Sequence, residues 1–317
     1  MASRNRSGSQ IVKGGAVLGS DATEMEREAC VPEVDGAFVH VYDPSGTTGN
    51  ARSYNNDHTV VFGLDGLFHK IGILNIAGGP HSEEKQLDHI TSPDLMKNGW
   101  QSHRHALIAD EERGEVALWA PHIVGVDGIF YMFYSSYTPT DKMGQIFLAT
   151  SRDLYDWERH PKHPIISPNA LHARDPMVLF LEDRSQWVLY YTANDEEGRG
   201  TVAYRTSPDL VNWSGEKAYA LVGEKHDGAG NAESPFIVEY RGYYYLFVTS
   251  WTIDYNATRV FRSTDPLRFS LDQQVTTLTC HASEIIEHNG EWYLTHCGSR
   301  ANGFHVGRLK WVPSISS

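Results

Sequence analysis

The sequence predicts an all-β fold, a single five-bladed β-propeller, and three observations carry that expectation. The chain has 317 residues, a length that repetitive all-β folds reach as one unit. One phrase recurs at nearly constant spacing, and a second recurs five times, out of step with the first.

The first phrase is Ser-x-Asp-Leu-x-x-Trp. It stands complete as Ser151-Arg152-Asp153-Leu154-Tyr155-Asp156-Trp157 and as Ser207-Pro208-Asp209-Leu210-Val211-Asn212-Trp213. Weaker copies are Ser92-Pro93-Asp94-Leu95 and Ser263-Thr264-Asp265-Pro266-Leu267, so the serines fall 56 to 59 residues apart. The second phrase is a short polar motif, a few apolar residues, a turn and an aromatic strand. Its copies begin at Asp57, Ala120, Asp175, Glu233 and His281. Each reads as two antiparallel strands. Asp65-Gly66, Asp127-Gly128, Arg241-Gly242 and Asn289-Gly290 supply turns, since Asp-Gly and Asn-Gly accept the positive φ of tight hairpins. The flanking Tyr, Phe, Val and Ile suit a pleated, packed surface.

A third strand ends in Thr-Ser, as in the segments from Gln145 and from Thr201, and the Ser-x-Asp-Leu phrase then turns the chain. Trp157 and Trp213 belong to that phrase and are expected to pack between blades. A unit of some fifty to sixty residues with about four strands is a propeller blade. Strands from Ala37 and from Phe304 are expected to share the last blade, which would remove exposed sheet edges. Residues 1–30 are read as an N-terminal extension, in part disordered, and residues 31–317 as the propeller.

Acidic residues outnumber basic ones 40 to 27, a formal net charge of -13. Such a surface repels phosphate backbones, so neither nucleic acid nor an anionic membrane is an expected partner. The three cysteines, Cys30, Cys280 and Cys297, are too few and too far apart for a disulfide framework, and a reduced chain is the simpler reading. No sustained apolar run follows the basic start, so neither a signal peptide nor a membrane span is expected, and the expected location is cytoplasmic.

In a propeller the first strand of each blade lines the central channel. The five copies therefore bring Asp57, Ala120, Asp175, Glu233 and His281 toward one mouth, and three of these are acids. Each acid alone has a bland alternative: an ion pair with Arg174 for Asp175, a turn for Asp57, a loop for Glu233. Together in one repeat phase they form a set. Glycoside hydrolysis needs one carboxylic acid to protonate the leaving oxygen and one carboxylate to activate water or attack the sugar. Crowding drives at least one such group toward its protonated form.

The phrases Trp119-Ala120-Pro121, Arg174-Asp175-Pro176 and Glu233-Ser234-Pro235, with Asn56-Asp57 in blade 1, resemble the superfamily of glycoside hydrolase families 43, 32, 62 and 68 from about Tyr54 onward. The resemblance implies that Asp57 is the general base or nucleophile, that Asp175 orients substrate and modulates pKa, and that Glu233 is the general acid. Asn55-Asn56-Asp57-His58-Thr59 departs from the Asn-Asp-Pro-Asn-Gly run of fructosidases and from the Asp-Pro start common in family 43. Ser234 stands where fructosidases have Cys. Glu-small-Pro is nearer family 43, so an inverting hydrolase is expected, acting on a short oligosaccharide or small glycoside: an arabinofuranoside, xyloside, galactoside or fructoside. A non-hydrolytic enzyme on the same scaffold, a retaining fructosidase-like enzyme and a pure binding propeller are the alternatives.

Trp119 and Trp251 are candidate platforms for a sugar ring, because aromatic faces stack on sugars. Arg174, His58, His122 and His281 are further substrate-binding candidates. No cofactor is expected to be required. In some relatives a blade-5 histidine helps to bind a calcium ion in the channel, so the resemblance extends a structural calcium, with His281 beside it, to this chain. His-x-x-x-His and His-Glu-x-x-His spacings are missing, which argues against catalytic zinc.

Overall fold

The hairpin turns show how the repeat becomes a blade. Asp127-Gly128, Arg241-Gly242 and Asn289-Gly290 hold positive φ at both central residues, 50° and 76°, 49° and 77°, and 54° and 82°. That backbone matches the twist of the strands it joins. At Asp65-Gly66 only Gly66 is left-handed, and the loop closes from Gly63 N–H to the Leu67 carbonyl at 2.8 Å. Asp65 accepts from the Leu67 N–H and lies 3.1 Å from His69 Nε2, so its carboxylate, rather than a two-residue turn, organises this end of blade 1. In this computed structural model the described residues are 11–12, 27–136, 144–167, 172–215, 218–224, 231–250, 253–298 and 302–314.

Five antiparallel sheets follow one another along the chain. Blade 1 pairs Ser53–Phe62, Phe68–Ile76 and Gln86–Ser92, with the short Gln101–Ser102 and Leu107–Ile108 on its outer edge. Blade 2 pairs Trp119–Val126, Ile129–Ser136, Gln145–Ser151 and Glu158–Arg159. Ile11–Val12 pairs with Val126 and Gly125 on its inner side. Blade 3 runs through Arg174–Leu181, Gln186–Asn194, Gly200–Ser207 and Ala218–Val222, and blade 4 through Glu233–Tyr240, Tyr243–Thr249, Ala257–Ser263 and Gln274–Thr279. Blade 5 takes Ile285–His288, Glu291–His296 and Phe304–Pro313 from the end of the chain and Cys30–Tyr42 from its beginning. Both chain ends thus share one sheet. The expected extension at residues 1–30 lies mostly outside the described residues, and its last residue, Cys30, already belongs to this sheet.

The recurring Ser-Asp-Leu-Trp phrase is a turn with a buried anchor. Asp153 accepts from the N–H groups of Tyr155 and Asp156, and Asp209 from those of Val211 and Asn212. Leu154 and Leu210 are buried despite φ of 69° and 68°. Each following Trp donates its indole N–H to the carbonyl of that Leu. Trp157 lies against the apolar cluster shared by blades 1 and 2, and Trp213 against that of blades 2 and 3. The core sits in these seams between sheets, with Phe304, Val60 and Ile90 closing blade 5 onto blade 1. All three cysteines are buried and free, and no helix among the described residues is long and apolar enough to cross a membrane.

Candidate active site

The first strands of blades 1 to 4 each carry a β-bulge at the mouth end of the channel. The pairing slips between Asn55 and His58, Trp119 and His122, Arg174 and Met177, and Glu233 and Phe236. At the bulge Ala120, Asp175 and Ser234 adopt φ of 44°, 55° and 49°, and Ala282, ahead of blade 5, adopts 48°. Left-handed backbone is costly for residues with a Cβ, of order 1–2 kcal/mol each, and recurs where a chain re-aims side chains. Pro121, Pro176 and Pro235 come next, where no backbone N–H is needed for the ladder.

These bulges correct the expected repeat phase. Ala120 and Asp175 are equivalent, but their counterparts are Asn56, Ser234 and Ala282. Glu233 and His281 stand one residue before the bulge position, with Trp119 and Arg174, and Asp57 stands one after it, with the prolines. The three acids therefore come from three successive positions rather than one. A regular strand would send consecutive side chains to opposite faces; the bulges let Asp57 and Asp175 border one depression, with Glu233 joined to Asp175 through Arg174. That depression is lined by Asp57, Asp175, Ala120, Pro121, Glu284 and their neighbours.

A chain of polar contacts joins the acids. Ser234 donates its hydroxyl to Asp57 Oδ1 at 2.6 Å and its backbone N–H to Asp175 Oδ2 at 3.1 Å. Thr192 also donates to Asp175 Oδ2, at 2.9 Å, and Arg174 Nε lies 3.3 Å from the same oxygen. The other arm of Arg174 donates to Glu233 Oε1. Asp175 is fixed from behind as well, its N–H donating to Ser135 Oγ at 2.9 Å. Ser135 and Thr192 lie near the ends of the second strands of blades 2 and 3, so Ser135 braces the bulge of the next blade and Thr192 that of its own.

Burial pushes all three carboxyl groups above their ordinary range. Ser234 pulls Asp57 back, and Arg174 pulls back Asp175 and Glu233. Glu233 rises to about 8, because desolvation and the negative charges of Asp175 and Asp57 outweigh Arg174. At neutral pH Glu233 holds a proton, while Asp57 accepts a hydrogen bond from Ser234.

The remaining candidates divide. Arg174 is in the network and Trp119 is half-buried before its bulge. Trp251 lies outside the described residues. His58 borders the depression, yet both ring nitrogens face away from it, one 2.6 Å from Thr295 Oγ1 and the other 3.2 Å from Cys297 Sγ. It ties blade 1 to blade 5 and is a correction to the substrate-binding set. His122 is a second correction: its ring is buried below the mouth, 3.7 Å from Glu284 and edge-on to Phe236. The ring of His281 stacks on Tyr255 at 3.9 Å, with Nδ1 2.7 Å from the Tyr255 carbonyl. Calcium takes six to eight oxygen ligands. Among the described residues no three His, Cys, Asp or Glu side chains gather as direct metal ligands. Sequence reasoning missed Ser234, Thr192 and Ser135 as braces. The signal available was the hydroxyl residue that recurs where second strands reach the mouth, as Ser135, Thr192 and Thr249.

The profile described as Glycosyl hydrolases family 43 matches residues 79–309. The chain is 26% identical over 233 residues to the probable arabinan endo-1,5-α-L-arabinosidase C of Aspergillus niger, covering 68% of this chain and 64% of that protein. It is 28% identical over 138 residues to the probable sucrose-6-phosphate hydrolase of Psychromonas ingrahamii, covering 42% of this chain and 25% of that protein. The chain thus spans less than two thirds of the length of either curated relative. Among solved structures, a thermostable family-43 glycoside hydrolase shares the fold with a TM-score of 0.63 at 16% identity, covering 84% of this chain and 96% of that one.

Proposed function

The chain belongs to glycosyl hydrolases family 43, and from that premise we propose that it hydrolyses a glycosidic bond in a short oligosaccharide or small glycoside, with inversion at the anomeric carbon. The observation that carries this reading is the network in which Arg174 joins Glu233 to Asp175 and Ser234 joins Asp175 to Asp57, with burial raising Glu233 to about 8. Glu233 Oε1 is occupied by Arg174, so the proton sits on Oε2 and passes to the leaving oxygen as the bond to the anomeric carbon breaks. Asp57 takes a proton from the water that attacks the opposite face of that carbon. Arg174 then stabilises the Glu233 carboxylate that the step creates. Asp175, held by Thr192, Arg174 and the Ser234 N–H, keeps both partners aligned and contributes the negative charge that helps Glu233 retain its proton. No step requires a metal.

The relative named for arabinan favours an α-L-arabinofuranosidic bond as the substrate. The partial likeness to a sucrose-6-phosphate hydrolase supports a second reading, a retaining fructosidase-like reaction with Asp57 as nucleophile. The two are separated by a panel of aryl arabinofuranosides, xylosides, galactosides and fructosides, with the anomer of the first product read by NMR. Inversion needs room for water, roughly 6.5–9.5 Å between the two carboxyls, whereas retention needs about 5–5.5 Å. The expected first product is the inverted sugar. A retained anomer establishes the second reading, and no turnover of any glycoside rejects both.

A further inference from the structure

Blade 1 builds its bulge differently from the others. In blades 2, 3 and 4 a left-handed residue, Ala120, Asp175 or Ser234, turns the strand and a proline follows it. In blade 1 the corresponding residues are Asn56, which is not left-handed, and Asp57, which takes the place of the proline. The residue across from the end of the bulge differs too. His122 faces Phe133, Met177 faces Tyr190 and Phe236 faces Phe247, all three rings buried, whereas His58 faces Gly72. A Cβ at Gly72 would stand 2.5 Å from the His58 Cβ and 2.9 Å from the Asp57 carbonyl oxygen, while opposed residues ordinarily keep their Cβ atoms about 4.5–5.5 Å apart. The backbone of the Asp57 bulge therefore rests directly on Gly72.

The missing side chain also opens a route across the blade. Gly72 pairs with Asp88 on the third strand, and Asp88 reaches over it to the first strand, where its Oδ2 accepts from Asn55 Nδ2 at 2.8 Å. The same amide donates to the Ile73 carbonyl at 3.2 Å. Asp88 Oδ1 accepts from Lys70 Nζ at 2.6 Å, and the lysine side chain is fully buried. A buried ion pair of this kind is often no better for stability than well-packed apolar side chains of similar volume. What this one supplies is an acceptor that locks Asn55, the last residue in regular register before the bulge. Blade 5 holds both flanks: the Gly298 N–H donates to the Asn55 carbonyl at 2.8 Å, and the His58 ring contacts Thr295 and Cys297. Asp57 is thus carried on a bulge pinned before it, after it and beneath it.

We propose that Gly72 and Asp88 are positioning residues for Asp57: together they set the reach of the bulge and so hold the Asp57 carboxylate against the Ser234 hydroxyl. This placement rests on the reading of Asp57 as the base of a hydrolase. A side chain at position 72 meets the Asp57 carbonyl and the His58 backbone, which must lift away from the second strand and draw Asp57 Oδ1 off its 2.6 Å contact with Ser234. Loss of Asp88 releases Asn55 and loosens the same bulge from the other side. Ser234 lowers the Asp57 pKa, so either change raises it. The other charged or titratable groups coupled to Asp57, namely Arg174, Glu84, Asp175, Glu233, His81 and Cys297, stand outside this cradle and are not altered.

The test uses the full chain in two variants: Gly72→Ala, and the paired replacement of Lys70→Met with Asp88→Leu, which leaves no charge buried alone. One readout is the carboxyl carbon NMR signal of Asp57, assigned by its loss in Asp57→Asn and followed through pH. The other is kcat and KM on an aryl glycoside that the wild type hydrolyses. Both variants should raise the Asp57 pKa and move the acidic limb of the pH–rate profile upward. They should lower kcat roughly 10- to 100-fold with KM nearly unchanged, the range set by one hydrogen bond to a charged group and by a small misplacement of a reacting group. In a Ser234→Ala background Gly72→Ala should move the titration no further, because the contact it acts through is already gone, whereas a purely structural role gives effects that add. One folded variant suffices for the comparison. An unmoved Asp57 titration, or a shift that adds to that of Ser234→Ala, overturns the proposal. Failure of both variants to fold also overturns it, since the cradle is then a requirement of the fold and not of Asp57. If the wild type turns over no glycoside, the hydrolase reading fails, and the Asp57 titration alone decides whether the cradle holds that carboxylate.

Discussion

The two ends of the first blades bury ionisable groups by the same physics and to opposite effect. At the mouth, desolvation raises the carboxyls of Asp57, Asp175 and Glu233. At the far end of blade 1, desolvation lowers imidazoles: His69 and His103 fall below their ordinary range, and His89 falls to about 3. Burial favours the neutral form in both places. In the proposed reaction the neutral form of Glu233 is the proton donor. At the far end the neutral form is what allows His69 Nδ1 and His89 Nε2 to share one proton across 2.9 Å, with His89 packed against His69, His103 and Tyr155. The proposed reaction uses the displaced pKa at the mouth; the displaced pKa at the far end makes the fold sensitive to acid.

The largest expected effect lies at the mouth. Asp57→Asn removes the base and should reduce kcat/KM toward the upper end of the 10²–10⁴-fold range of general acid–base catalysis, on activated and unactivated glycosides alike. An Asp57→Asn enzyme with nearly full activity would remove Asp57 from the reaction.

The next effect lies at the far end and concerns folding. His89 titrates near 6.5 when unfolded and at about 3 when folded. The unfolded chain therefore takes up the proton first, and stability present above about pH 6.5 is lost as the pH falls toward 3. The loss from this one buried group is about 2 kcal/mol between pH 7 and pH 5, and about 4 kcal/mol near pH 3. Urea unfolding at pH 7 and pH 5 should show it, and His89→Phe, which keeps an aromatic ring in the stack, should flatten the dependence. An equal pH dependence in wild type and variant would place the acid sensitivity elsewhere, for instance at His296, whose pKa falls to about 4.

A smaller effect separates a braced acid from a merely buried one. Ser234→Ala deletes the 2.6 Å hydrogen bond to Asp57, which lowers that carboxyl's pKa. The acidic limb of the pH–rate profile should move upward, because Asp57 must be ionised to act, and activity should fall roughly 10-fold, as for loss of a hydrogen bond to a charged group. An unmoved acidic limb would show that Ser234 does not tune Asp57.

The same two ends show what the sequence discloses. The Asp-Gly and Asn-Gly turns and the Ser-Asp-Leu-Trp phrase have local causes, a positive φ or an Asp that caps its own turn, and so the blades could be counted from residues alone. The shared last blade was legible because the strands from Ala37 and Phe304 each lacked a partner. Asp57, Asp175 and Glu233, which the structure links through Ser234 and Arg174, were placed together in the sequence but with the wrong register. A bulge inserts one residue without a fixed signature, and aligning acid with acid hid it; aligning Pro121, Pro176 and Pro235 places Asp175 opposite Ser234 and leaves Glu233 one step earlier. His58 and His122 were misjudged for a different reason. A histidine on a first strand looks the same in sequence whether it faces a ligand or, as here, Thr295 in the neighbouring blade or Glu284 at the head of blade 5.

The central claim is that Glu233 is the proton donor, and its most direct test compares leaving groups in Glu233→Gln. The variant should lose of order 10²–10⁴-fold activity on glycosides with poor leaving groups and far less on activated aryl glycosides, which need little protonation. The wild-type fall in kcat/KM above about pH 8, where Glu233 gives up its proton, should vanish in the variant. An equal loss on both substrate classes, with the alkaline limb still present, would contradict the account and make Glu233 a binding carboxylate.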